Sequence, residues 1–283
     1  MKRLILAAVL LVAAELFHGN TAQAQIVDGA FQRTDMVDRK PMELPFVREA
    51  DVMWSKRIWR IIDLREKVNQ KMYFPTTEME NKNNLINTLL KGIKEEKITA
   101  YDAASDDEFK VPMTYDQVKE AFGAVTSKQT TRDIDTGETI EVEVEGQIRS
   151  QEIKQFMVKE EWFFDRQTST MNVRIIGLCP IREYYRADDV NQENVQKSQV
   201  FWVYFPEIRD VLAVSAVKME TGSLAMSYDD LFIKRRFSSY IVQEGNTYNN
   251  RRIDQYLQGI EISLEAQRLE DKIFDYEQDL WEY

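Results

Sequence analysis

From residue 47 onward, apolar side chains at Val47, Trp54, Ile58, Ile61, Leu64 and Val68 recur at helical intervals. Glu49 and Asp51 near the start and Lys67 near the end suit the helix dipole, so the pattern predicts a helix over 47–68. On such a helix Trp54 and Trp59 occupy different faces, one serving the core and the other a second surface. Pro75 breaks the pattern, and Leu85, Ile86, Leu89, Leu90 and Ile93 predict a second helix over 83–93. A short strand is expected at 98–101 and an acidic loop at 102–107. Thr114 is a natural cap for a helix over 115–122.

The pattern then changes period. Thr139–Glu145 alternates apolar and acidic residues and predicts a half-exposed strand that pairs across a turn at Asp135–Gly137. Ile153–Phe164, Met171–Pro180 and Gln199–Phe205 are rich in β-branched and aromatic residues and form the strand-dense centre, with Trp162 and Phe164 on one face and Phe163 on the other. Phe205–Ala213 mixes apolar and charged types, and Arg209 has Glu207 and Asp210 as local surface partners. Ser227–Ile241 reads as a capped helix. A long last helix begins near Asn249, with Ile253, Leu257, Ile260, Leu264, Leu269 and Ile273 as its apolar stripe and Glu265 and Arg268 as a pair three apart. The fold class expected is α+β: a central antiparallel sheet flanked by helices, with a long C-terminal helix.

The N-terminus changes the picture. Lys2 and Arg3 precede the mostly apolar Leu4–Phe17, and Ala22-Gln23-Ala24 offers a small-x-small cleavage site. Residues 1–24 therefore read as a signal peptide, 25–45 as an arm or linker, and 46–283 as one α+β domain, with 46–94 as a helical subregion. The apolar run is shorter than the roughly 20 residues needed to span a bilayer, so a soluble exported product is expected. The only histidine, His18, leaves with the signal, which removes most histidine-based catalytic and zinc chemistry. Cys179 is the only cysteine, so it has no internal disulfide partner and reads as a small buried apolar residue.

The chain carries 37 basic and 48 acidic residues, a formal net charge of −11, and removing the signal makes it one unit more negative. That balance argues against a nucleic-acid groove. Asp106, Asp107 and Glu108 lack the ligand spacing and central glycine of a calcium loop, so no metal or cofactor is expected. Lys234-Arg235-Arg236 is a positive point on an acidic chain, suited to orienting a charged partner. The segment 274–283 is too aromatic for an ordinary disordered tail and is expected to dock on its own domain or a neighbour. Trp54, Trp59, Lys234, Arg235, Trp281 and Tyr283 are accordingly the interface candidates. A glycan hydrolase would need two carboxylates about 5 to 9.5 Å apart, for which Glu160, Glu161 and Asp165 are available. A carbohydrate-binding module would instead use exposed tryptophans.

Several blocks, in order, carry a family resemblance. They are Arg48–Trp54 with Trp59–Lys67, Glu161–Asp165, Arg174–Pro180, Phe201–Glu207, Tyr228–Phe232 with Lys234-Arg235, Phe237–Ile241, and Glu277–Tyr283. Through them the chain resembles the GldN/PorN family of the type IX secretion apparatus in Bacteroidota. The resemblance implies a non-enzymatic periplasmic protein that forms a ring with a GldK/PorK-like lipoprotein at the inner face of the outer membrane. It also implies self-association within that ring and a link to the periplasmic part of a GldM/PorM-like motor component.

Overall fold

The structure is a computed structural model that describes residues 39–77, 83–104, 107–124, 127–132, 139–144, 146, 148–185, 194–217 and 226–279. The expected signal peptide with His18, the first part of the arm (25–38), the turn at Asp135–Gly137, and Trp281 and Tyr283 lie outside the described residues.

In chain order the elements are β1 (Val52–Asp63), α1 (Gln70–Tyr73), α2 (Leu85–Lys94), β2 (Ala100–Asp102), β3 (Pro112–Met113), α3 (Tyr115–Ala121), β4 (Ser127–Arg132), β5 (Thr139–Val144), β6 (Ile153–Asp165), β7 (Thr170–Tyr185), β8 (Val195–Gln199), β9 (Phe201–Tyr204), α4 (Phe205–Val214), α5 (Tyr228–Ile233), β10 (Tyr240–Glu244) and α6 (Ile260–Asp279). Eight strands form one antiparallel sheet in the order β10-β1-β6-β7-β9-β2-β3, with β8 pairing the end of β7. β4 and β5 form a separate two-stranded sheet. The α+β class is as expected.

Helices pack on one face of the large sheet. Ile62 of β1 and Phe156 and Val158 of β6 meet Leu85 and Leu89 of α2, Phe205 and Leu212 of α4, and Leu231 and Phe232 of α5. Farther along the same face, Ile58 and Ile241 pack under Ala266, Leu269 and Ile273 of α6. The opposite face carries a smaller cluster of Trp59, Ile61, Met157, Cys179 and Trp202, covered by the loop that bears Phe109. Each fully buried large apolar side chain contributes about 1.5–3 kcal/mol, which makes the helix-covered face the larger source of stability.

The local capping signals hold. Asn84 accepts from the Asn87 amide at the start of α2, and Thr114 and Gln117 form a reciprocal capping box on α3. The β4–β5 pairing also matches the strand expected at Thr139.

Four expectations do not hold. The helix expected over 47–68, and with it a helical subregion over 46–94, is replaced by β1 at the centre of the sheet. Ile58–Ile62 is buried on both faces of the sheet, so its period of two is masked by a continuous apolar run, while Trp54, Ile58 and Ile61 imitate helical spacing. Trp54 and Trp59 still fall on opposite faces, but through the pleat. Phe205 does not end a strand: it opens α4, with Pro206 in the first turn, where its missing N–H costs nothing.

The helix expected over 227–241 stops at Ile233. Arg235 adopts φ 47°, the chain turns, and Tyr240–Glu244 becomes edge strand β10. The last helix begins at Ile260, not near Asn249, because Asn249, Asn250 and Gly259 all adopt positive φ. Ile253 and Leu257 therefore lie before it, around a 3-10 turn at Ile253–Gln255. Within α6 the buried stripe narrows to Ala266, Leu269 and Ile273, whereas Ile260 and Leu264 are exposed.

Candidate docking surface

On the helix-covered face the charged residues turn inward and pair. Glu160 is fully buried on β6; Arg235 donates to its Oε1 at 2.7 Å and its Oε2 at 3.3 Å, and the Trp162 indole donates to Oε2 at 2.9 Å. The same guanidinium lies over the rings of Trp162 and Phe237, each 5.3 Å away. Left-handed backbone at Arg235 aims the side chain back over the sheet, so the residue picked out by its charge cluster closes an internal ion pair. Lys234, beside it, is exposed and pairs with Asp230 at 3.1 Å.

The two tryptophans separate in the same way. Trp54 is half-buried and stacks on Tyr276 of α6, with ring centroids 4.8 Å apart. Trp59 is a core residue on the other face; its indole donates to Asp107 at 2.7 Å. Lys159, also buried, donates to the Asp107 carbonyl at 2.6 Å and lies 3.2 Å from its carboxylate. Burial pulls the Lys159 pKa below the ordinary lysine value, and Asp107 opposes that shift.

Sequence reasoning missed the contacts of the N-terminal arm. Arg39 pairs with Asp230 at 2.5 Å, Arg209 donates to the Met42 carbonyl at 2.5 Å, and Arg174 donates to the Pro45 carbonyl at 2.6 Å. Arg209 does not take the local partners Glu207 or Asp210. It forms a two-pronged, buried pair with Asp229 at 2.8 and 3.1 Å, while Glu207 accepts from the amide and hydroxyl of Thr99. Between the arm and the sheet lies a groove of about 360 Å³, lined by Leu44, Val173–Ile176, Tyr204, Phe205, Phe232 and Arg235 among others. The available signal was a lone arginine, Arg174, within the β-branched stretch Val173–Ile176.

The carboxylates considered for hydrolysis do not converge. Glu160 is sealed beneath Arg235, and Glu161, next along the strand, belongs to the opposite face, where Arg57 lies 3.6 Å away. Asp165 caps the β6–β7 turn by accepting from the Gln167 amide and the Thr168 hydroxyl.

Inward-paired charges and an arm strapped to a sheet by its backbone define a scaffold-like α+β protein. The family model described as gliding motility associated protein GldN matches residues 47–282, and the chain belongs to this family, a structural component of the gliding and type IX secretion machinery. No curated protein matches the chain. Among the described residues no helix is long and apolar enough to cross a membrane.

Proposed function

We propose that this protein is a non-catalytic periplasmic element of the secretion and gliding machine, assembling into a ring with a GldK/PorK-like lipoprotein. The ring sits at the inner face of the outer membrane and couples to the periplasmic part of a GldM/PorM-like motor component. The observation that carries this reading is the family match across 47–282. The geometry supports it in a limited way: the candidate carboxylates lie on different faces, and large apolar residues remain on the outside, including Phe46 at 89 % exposure and Ile260 at 76 %. Trp54, Lys234, Trp281 and Tyr283 remain interface candidates within this proposal. Trp59 and Arg235, being committed to internal contacts, act by shaping the surface.

The test is a cross-linked pull-down of the intact protein from the periplasm of its source cells. Recovery of the lipoprotein and the motor component is expected. Recovery of neither, with the protein folded and present in that compartment, overturns the proposal.

A further inference from the structure

The strand β7 is paired along its whole length on one side only. β6 runs beside Thr170–Arg182, but on the other side β9 meets only Gly177 and Leu178, and β8 only Ile181–Tyr185. Among the described residues, Thr170–Ile176 has no ladder partner on that second side. This edge is roughly 23 Å long at about 3.3 Å per residue. It contains neither proline nor lysine, the residues that commonly discourage edge pairing.

Its one charge is Arg174. No carboxylate among the described residues pairs with it: Glu161, its cross-strand neighbour, pairs with Arg57. Ile175 packs toward the large core, and the pleat places Arg174 on the opposite row.

A second open ladder exists in the same chain. The β4–β5 hairpin stands apart from the large sheet, and neither strand has a substantial contact with any other described element. A lone two-stranded hairpin is marginal in water and gains stability from a third strand. β5 alternates Ile140, Val142 and Val144 with Glu141 and Glu143, and its register with β4 puts the two sets in separate rows. The two open edges are thus complementary, one bearing an unmatched arginine beside an apolar groove and the other alternating glutamates with β-branched residues.

We infer that β5 of one copy adds to the Thr170–Ile176 edge of the next, its apolar row facing the groove and its glutamates meeting Arg174. Pairing two β7 edges with each other would bring like charges together and leave the hairpin two-stranded. Joining two different surfaces is heterologous and repeats around a ring when the rotation closes. The inference rests on the ring reading above and names the joint between copies.

The test uses the intact protein, with and without its lipoprotein partner, and follows assembly by sedimentation. Arg174→Glu is expected to weaken self-association by about tenfold or more, as is Glu141→Lys with Glu143→Lys, because each places like charges across the joint. Mixing the two variants restores association, since each supplies the face the other has lost. Circular dichroism establishes that both variants are folded. Separately, Val142→Cys and Val173→Cys chains, mixed under mild oxidation, should yield a disulfide between copies. If the native protein assembles while the variants assemble equally well and no disulfide forms, the joint is refuted and the ring reading stands. If the native protein does not assemble even with the lipoprotein, both are refuted.

Discussion

The two faces of the large sheet bury charge in different ways. On the helix-covered face, Glu160 and Asp229 each receive an arginine through two prongs, from Arg235 and Arg209. Arg60 likewise reaches Glu270 of α6 and Ser239. On the opposite face a single lysine, Lys159, meets a single loop aspartate, Asp107. A planar guanidinium satisfies both oxygens of a carboxylate and fixes its direction, whereas an ammonium is a point charge that sheds its proton more readily when buried. The helix-covered face is therefore locked by geometry, while the loop-covered face is held by one latch.

Removing the lock tests that difference most severely. Arg235→Met leaves Glu160 buried without its cation, and a loss of about 3–5 kcal/mol is expected in urea unfolding. A loss below about 1 kcal/mol would show that the two faces are not distinct in this respect.

The latch should cost less. Asp107→Ala is expected to lose about 1–3 kcal/mol, because Lys159 keeps a main-chain acceptor and can become neutral. Trp59 fluorescence should change in the folded state, since the indole loses its acceptor; an unchanged spectrum would argue against the contact.

Smaller still is Trp54→Ala, which removes the stack on Tyr276. Beyond the burial lost, the stack itself is worth about 0.5–1.5 kcal/mol. Hydrogen exchange should quicken in the last turns of α6 and leave α2 unaffected; equal quickening in both would mean that the helix-covered face responds as one unit.

The least effect is confined to acid. Burial by itself would raise the Asp63 pKa, but hydrogen bonds from the Arg65 side chain and backbone and from Gln155 outweigh it and hold the carboxyl at about 2. A carboxyl lowered in the folded state adds stability above its unfolded value near 3.8 and loses it as pH falls toward 2. The stability gap between the native chain and Asp63→Asn should therefore narrow between about pH 4 and pH 2; a constant gap in urea titrations across that range would remove the linkage.

Elements whose cause is local were readable in the sequence. Thr114 with Gln117, and Asn84 ahead of an apolar period, announce α3 and α2 because a cap acts within one turn. β1 was not readable, since its two-sided burial depends on β6 and β10, which lie far along the chain. The same distinction divides the candidate site. Arg235 stood out as part of a charge cluster, but its partner lies 75 positions away and its direction is set by a left-handed backbone that the sequence does not advertise. Trp54 could be assigned a face but not a neighbour, because the α6 residue that covers it arrives only through tertiary folding.

The straps on the arm have a consequence for substitution. Arg209 and Arg174 hold main-chain carbonyls, and every residue type possesses that oxygen. The side chains of Met42 and Phe46, at 59 % and 89 % exposure, contribute little to the grip. The arm can thus be rewritten at these positions without being released, so its attachment and its outward vocabulary are separately tunable.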